Sequence, residues 1–241
     1  MITTVIFDLD DTLYDEIDYC QSGFSAVAEF LSTITPEDIS EKRLFDAMWS
    51  QFMGGNHTQT FNTALSQLHI DYDNGLIRRL IRLYRQHMPA LSLPPESRQV
   101  LDQLRSEFKL GMLTDGFLPA QKLKVQALGI DTYFEHIIYT EQLGRAFWKP
   151  SPVGFKKLMA FFDTPAQSMV YIGDNVVKDF IAPNQLGFTS IQLQRSNRIH
   201  THTPANNRAQ AAHTIETLSE LPKLLAQLNK SCSQPVAPND V

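Results

Sequence analysis

The chain has 241 residues, 43% of them hydrophobic, a net charge of −5 and a sequence pI of about 5.8. That length buries one large core, or one core with a smaller inserted domain, and the acidic balance excludes the basic patch that a nucleic-acid partner requires. Two distant cysteines without a CxxC pattern, Cys20 and Cys232, exclude a zinc ribbon and a disulfide framework and fit a cytoplasmic protein.

The first residues read as a strand rather than a leader, since no basic segment precedes them, and no apolar run is long enough for a bilayer span. Thr3 to Leu9 is short, branched and bounded by the turn signal Asp10-Asp11-Thr12, as a buried strand is. From Ile17 the period changes. Phe24, Val27, Ala28 and Leu31 share one helical face, Leu44, Phe45, Met48, Trp49 and Phe52 a second, Phe61, Ala64, Leu65 and Leu68 a third, and Leu76, Ile77, Leu80, Ile81 and Tyr84 a fourth. Gly54-Gly55-Asn56 breaks this helical block, and Pro89 and Pro94-Pro95 close it.

Beyond the prolines, helices and strands alternate. A helix carries Val100, Leu101 and Leu104; strands are expected at Leu110–Leu113, Ile137–Thr140, Met169–Ile172 and Ser190–Leu193. Between them lie helices at Pro119–Leu128, capped by Gly129, at Ser151-Pro152 onward, with Ser as N-cap and Pro at the first helical position, and at Phe180–Leu186. A last helix covers Thr217–Leu228. Such alternation predicts an α/β fold with a doubly wound parallel sheet. The domain reading is a Rossmannoid core from 1–14 and 90–230, an inserted all-helical cap at 15–89, and a polar, proline-bearing tail at 231–241 that reads as disordered.

In open parallel sheets ligands bind beyond the carboxyl ends of strands. The strand ends here deliver Asp8, Asp10, Asp11 and Thr12; Thr114 and Asp115; Lys149 in "WKPSP"; and Asp174 and Asp179 in "GDNVVKD". If the first strand stays extended, Asp8 and Asp10 point to the same side. With Asp174 they make a hard-oxygen site suited to Mg²⁺, with Lys149 adding positive charge. Cations would make such crowded acids tolerable.

The ordered set "DLDDT", "LTDG", "KP" and "GDNVVKD" resembles the four motifs of the haloacid dehalogenase superfamily, and the helical insert resembles its C1-type cap. The resemblance covers nearly the whole chain except the tail. It implies a Mg²⁺-dependent phosphatase in which Asp8 is nucleophile and metal ligand. Asp10 would be the general acid/base, with its backbone carbonyl on the metal. Thr114 and the Asp115 N–H would hold the phosphoryl group, Lys149 would pair with Asp8 and the phosphoryl oxygens, and Asp174 would bind Mg²⁺. Asp179 and Thr12 would stand behind the ligands, Asp179 orienting metal-bound water. A carboxylate that attacks phosphorus splits one hard step into two, and phosphoryl transfer mostly needs positioning and charge neutralisation.

The expected partner is a small phosphorylated metabolite, a sugar phosphate or a nucleoside monophosphate, with neither nucleic acid nor membrane; the oligomeric state is not legible. A phosphomutase would use the same residues. A dehalogenase of this fold needs neither Asp10 nor a metal, and a silent binding module would have lost some of the acids or the lysine. Asp115 departs mildly from the family pattern and adds negative charge near the phosphate. Asp179 also reads as a plain helix N-cap. Lys178, His200, His202 and His213 read as surface, His57 as a loop residue, and Tyr14 and Asp15 as hinge or packing residues where the cap begins.

Overall fold

The computed structural model describes residues 1–195, 199, 203–204 and 206–232. His200, His202 and the tail from 233 lie outside the described residues. The first unit comprises Met1–Glu16, Ser92–Gly116 and the described residues from Leu128 onward; the second comprises Ile17–Leu91 and Phe117–Ala127.

The first unit is built on β1 (Thr4–Phe7), β2 (Lys109–Thr114), β3 (His136–Tyr139), β4 (Met169–Gly173), β5 (Thr189–Leu193) and β6 (His213–Ile215). They form one sheet in the order β3-β2-β1-β4-β5-β6, parallel at every pairing. The chain winds outward from β1 to β3, then returns to β4 on the other side, so the switch point lies between β1 and β4. The buried runs of β1 and β4 suit central strands covered on both faces. Helix α5 (Pro95–Leu104), α7 (Val153–Phe162), α8 (Ile181–Leu186) and α9 (Leu221–Cys232) belong to this unit. A core cluster joins Ile6, Leu113, Phe155, Phe162, Tyr171 and Phe180. Gly111 admits this packing, because a Cβ there would sit 2.7 Å from Ile6 and 2.8 Å from Phe162.

The second unit is all-helical: α1 (Glu16–Ser32, its first residue in the sheet unit), α2 (Glu41–Met53), α3 (Thr60–Gln67), α4 (Asn74–Gln86) and most of α6 (Ala120–Leu128). Its centre is the Phe24 ring, with Trp49, Phe52, Phe61 and Tyr84 around it at centroid distances of 5.2–6.2 Å. Gly23 lets Tyr84 approach α1, since a Cβ there would meet the ring at 2.5 Å.

Several expectations shift. Helix α6 reads in sequence as a crossover helix of the sheet, yet residues 117–127 cluster with the helical unit. There the Arg85 guanidinium lies 3.5 Å over the Phe117 ring and Lys124 Nζ 4.1 Å from the Tyr19 ring. Strand β6 is an addition: three residues are too few to display a period, and it makes His213 a half-buried strand residue rather than a plain surface histidine. The last helix runs on through Ser231 and Cys232, after a short 3₁₀ turn whose Thr217–Glu220 capping box fixes its start. Helix α7 begins at Val153 with Pro152 as N-cap, one position later than expected.

Candidate active site

Strand β1 stops at Phe7, although the Asp8 N–H still extends the ladder to the Ile172 carbonyl at 2.8 Å. The expected extension to Leu9 fails because the chain turns. Leu13 N–H donates back to the Leu9 carbonyl at 2.9 Å, and Asp11 adopts a left-handed φ of 53°. The Asp10 carboxylate accepts a hydrogen bond from the Tyr14 hydroxyl.

Asp8, Asp174 and Asp179 converge. One carboxylate oxygen from each lies within 4.8 Å of the others, and all three residues are buried. Lys149 Nζ is 2.8 Å from Asp8 Oδ1 and 2.8 Å from Asp179 Oδ1, and donates to the Tyr171 hydroxyl at 2.9 Å. The Tyr171 hydroxyl in turn donates to Asp179 Oδ1 at 3.2 Å, and Asp179 Oδ2 accepts the Asn175 N–H at 2.9 Å. Asp179 is therefore turned back toward the strand ends. Helix α8 has no side-chain cap, so the N-cap reading of Asp179 does not hold.

The electrostatics follow from this packing. Burial pushes Asp8 up to about 6, against the pull of Lys149. Burial, then the charges of Asp179 and Asp8, push Asp174 up to about 9. Burial would likewise raise Asp179, but Lys149 and Lys178 outweigh it and hold the carboxyl below its ordinary range. Burial would depress the Lys149 ammonium, yet Asp179 and Asp8 keep it well above its ordinary value. Lys178, expected at the surface, is half-buried. Burial and Lys149 push its ammonium down, and Asp8, Asp179 and Asp115 more than reverse this.

A cation fits these residues. Asp8 Oδ2 and Asp174 Oδ2 are buried with no hydrogen-bond partner among the described residues. Unmet carboxylate oxygens are costly to bury. They are hard donors of the kind that hold a small divalent ion.

The remaining candidates divide. Thr114 is buried at the end of β2, and its carbonyl accepts the Thr140 hydroxyl at 3.2 Å. The Asp115 carboxylate accepts from that same hydroxyl at 2.7 Å and from the Lys149 N–H at 3.2 Å. Its charge thus ties the β3 and Lys149 loops to β2. The Thr12 hydroxyl is buried with no partner among the described residues, while its carbonyl accepts from Arg195 at 3.0 Å. Asp15 pairs with the same guanidinium at 3.1 Å. Asp11 accepts the N–H groups of Glu16 and Ile199, a turn-holding role. In the helical unit His57 is exposed, its ring edge-on to Phe52. Sequence reasoning passed over Tyr171 and Arg195. The only signal for Tyr171 was a phenol inside an otherwise apolar strand, where a buried hydroxyl calls for a partner.

The family model described as haloacid dehalogenase-like hydrolase matches residues 5–193. A glyceraldehyde 3-phosphate phosphatase of Methanopyrus kandleri is 27% identical, over 95% of this chain and 100% of that protein. The pyrimidine 5'-nucleotidase YjjG of Escherichia coli is 24% identical, over 92% of this chain and 97% of that one. The fold is similar to the magnesium-bound HAD-hydrolase YfnB of Bacillus subtilis, with a TM-score of 0.64 at 20% identity, covering 93% of this chain and 98% of that one.

Proposed function

The chain belongs to the haloacid dehalogenase-like hydrolase family, and from that premise we propose that it is a Mg²⁺-dependent phosphatase acting on a small phosphorylated metabolite through an aspartyl-phosphate on Asp8. The observation that carries this reading is the pair of buried oxygens, Asp8 Oδ2 and Asp174 Oδ2, that have no hydrogen-bond partner among the described residues, with the Lys149 ammonium on Asp8. The names of the relatives, a triose-phosphate phosphatase and a nucleotidase, support a sugar phosphate or a nucleoside monophosphate as the substrate class.

The carboxylates of Asp8 and Asp174 and the backbone carbonyl of Asp10 would hold Mg²⁺. When bound, the ion would neutralise phosphoryl charge and polarise a phosphoryl oxygen. Lys149, the Thr114 hydroxyl and the Asp115 N–H hold the other phosphoryl oxygens. The Asp8 carboxylate forms a bond to phosphorus as the bond to the leaving oxygen breaks, and Asp10 gives that oxygen a proton. Water then attacks phosphorus, Asp10 takes its proton, and phosphate leaves with Asp8 restored. Asp179 keeps Lys149 aimed at Asp8, and Thr12 stands behind the motif. The chemistry is assigned to the sheet unit and the choice of substrate to the helical one.

The test is phosphate release from 4-nitrophenyl phosphate with and without Mg²⁺, followed by a screen of phosphorylated metabolites. Asp8→Asn should fold and lose turnover. Phosphate release by Asp8→Asn at the wild-type rate, or halide release from a haloacid in place of phosphate release, would overturn the reading.

A further inference from the structure

The turn after β1 holds a phenol that the mechanism above does not use. Tyr14 is fully buried. A buried phenol takes a hydrogen-bond partner, and here the partner is Asp10 Oδ1, 2.5 Å from the hydroxyl. Asp10 and Tyr14 also face each other as an isolated parallel bridge.

The backbone around them is held from both sides. Thr12 and Leu13 donate back to the Leu9 carbonyl, closing one helical turn. Asp11, in its left-handed conformation, accepts the Glu16 N–H at 2.8 Å and the Ile199 N–H at 2.7 Å. Arg195 binds the Thr12 carbonyl and Asp15, and Ser97 donates to the Leu13 carbonyl at 2.6 Å. The position of the phenol relative to Asp10 is therefore set by a pinned turn.

We propose that Tyr14 is a positioning residue for Asp10: its O–H occupies Asp10 Oδ1, so that the proton given to the leaving oxygen is carried on Oδ2. This rests on the phosphatase reading. A carboxyl torsion is broad and roughly two-fold, so its two oxygens exchange places readily unless something distinguishes them. The phenol keeps its hydrogen at neutral pH and so makes Oδ1 the acceptor, which orients the acid without taking part in the transfer. Tyr14→Phe keeps the ring and removes the hydroxyl that donates to Asp10.

The experiment compares kcat/KM, with Mg²⁺ present, for two classes of monoester. An aryl phosphate with a good leaving group needs little help from an acid, whereas an alkyl phosphate needs a proton on its leaving oxygen. Tyr14→Phe should lower kcat/KM for glycerol phosphate by about tenfold or more and leave 4-nitrophenyl phosphate within about threefold, a fraction of the full contribution of a general acid. In an Asp10→Asn background the same change should no longer alter the alkyl-to-aryl ratio. Equal losses on both substrates, no loss on either, or a ratio change that persists with Asn at position 10 would each overturn the proposal. Should Tyr14→Phe not fold, 3-fluorotyrosine at position 14 retains ring and hydroxyl while strengthening the donor; an unchanged ratio there is equally fatal. A wild-type protein inert on both esters would instead defeat the phosphatase reading.

Discussion

A Cβ on Gly173 would lie 2.4 Å from Asp179 Oδ2 and 2.8 Å from its carboxyl carbon. The glycine that ends β4 thus makes room for the carboxylate that braces Lys149. Gly173→Ala should push Asp179 off Lys149 and Tyr171 and lower kcat by about a hundredfold, the scale of an ångström-sized misplacement. Steady-state kinetics at saturating substrate measure this; a wild-type kcat would show that Asp179 need not stay where it is.

Lys149 joins two buried carboxylates. Removing one member of a buried ion cluster leaves its partners uncompensated, so Lys149→Met should cost about 3–5 kcal/mol of stability in urea unfolding. Adding Asp179→Asn removes one of the stranded charges and should restore part of that loss. A second substitution that only adds to the damage would mean that the two side chains act independently.

Divalent cations should stabilise the protein through Asp8 and Asp174. Binding to the folded state at one hundred times Kd raises stability by about 2.7 kcal/mol, visible as a higher thermal midpoint in Mg²⁺. Asp174→Asn removes the charge of a carboxylate whose Oδ2 has no partner among the described residues and should abolish most of the Mg²⁺-induced rise. The same rise in wild type and Asp174→Asn would place the ion elsewhere.

His87, in the helical unit, donates from Nδ1 to the Tyr84 carbonyl at 2.8 Å, and its Nε2 pairs with the Ser22 hydroxyl at 3.0 Å. Burial lowers its pKa, aided by Lys124 and opposed by the Tyr84 carbonyl. The unfolded histidine, titrating at about 6.5, then binds more protons than the folded one below that pH. Its contribution to stability is present above about 6.5 and is lost as pH falls through the lower folded value. Urea midpoints should drop between pH 7.5 and 5.5 by more in wild type than in His87→Gln, and parallel pH curves for the two proteins would refute this.

Much of the candidate site was legible because its residues sit at strand ends. The apolar runs ending at Phe7, Leu113 and Ile172 announce parallel strands, and the acids and hydroxyl that follow them must emerge at one edge of the sheet. What was not legible was the local path after β1. The chain turns at Asp11, which is left-handed, and Asp10 accepts the Tyr14 hydroxyl. Nothing in the local pattern reports that choice, because the Asp11 carboxylate is held partly by Ile199, 188 positions away.

The sequence by itself determined the strand–helix alternation, the inserted helical block and the set of residues carried to the strand ends, since periodicity and turn chemistry are local properties of the chain. Only the tertiary structure decided which acids meet. Asp179 faces Lys149 rather than capping α8, Asp115 spends its charge on Thr140 and the Lys149 backbone, and residues 117–127 join the helical unit. Those outcomes depend on burial and on partners far away in sequence, where desolvation makes each unpaired charge costly and the surrounding packing selects its partner.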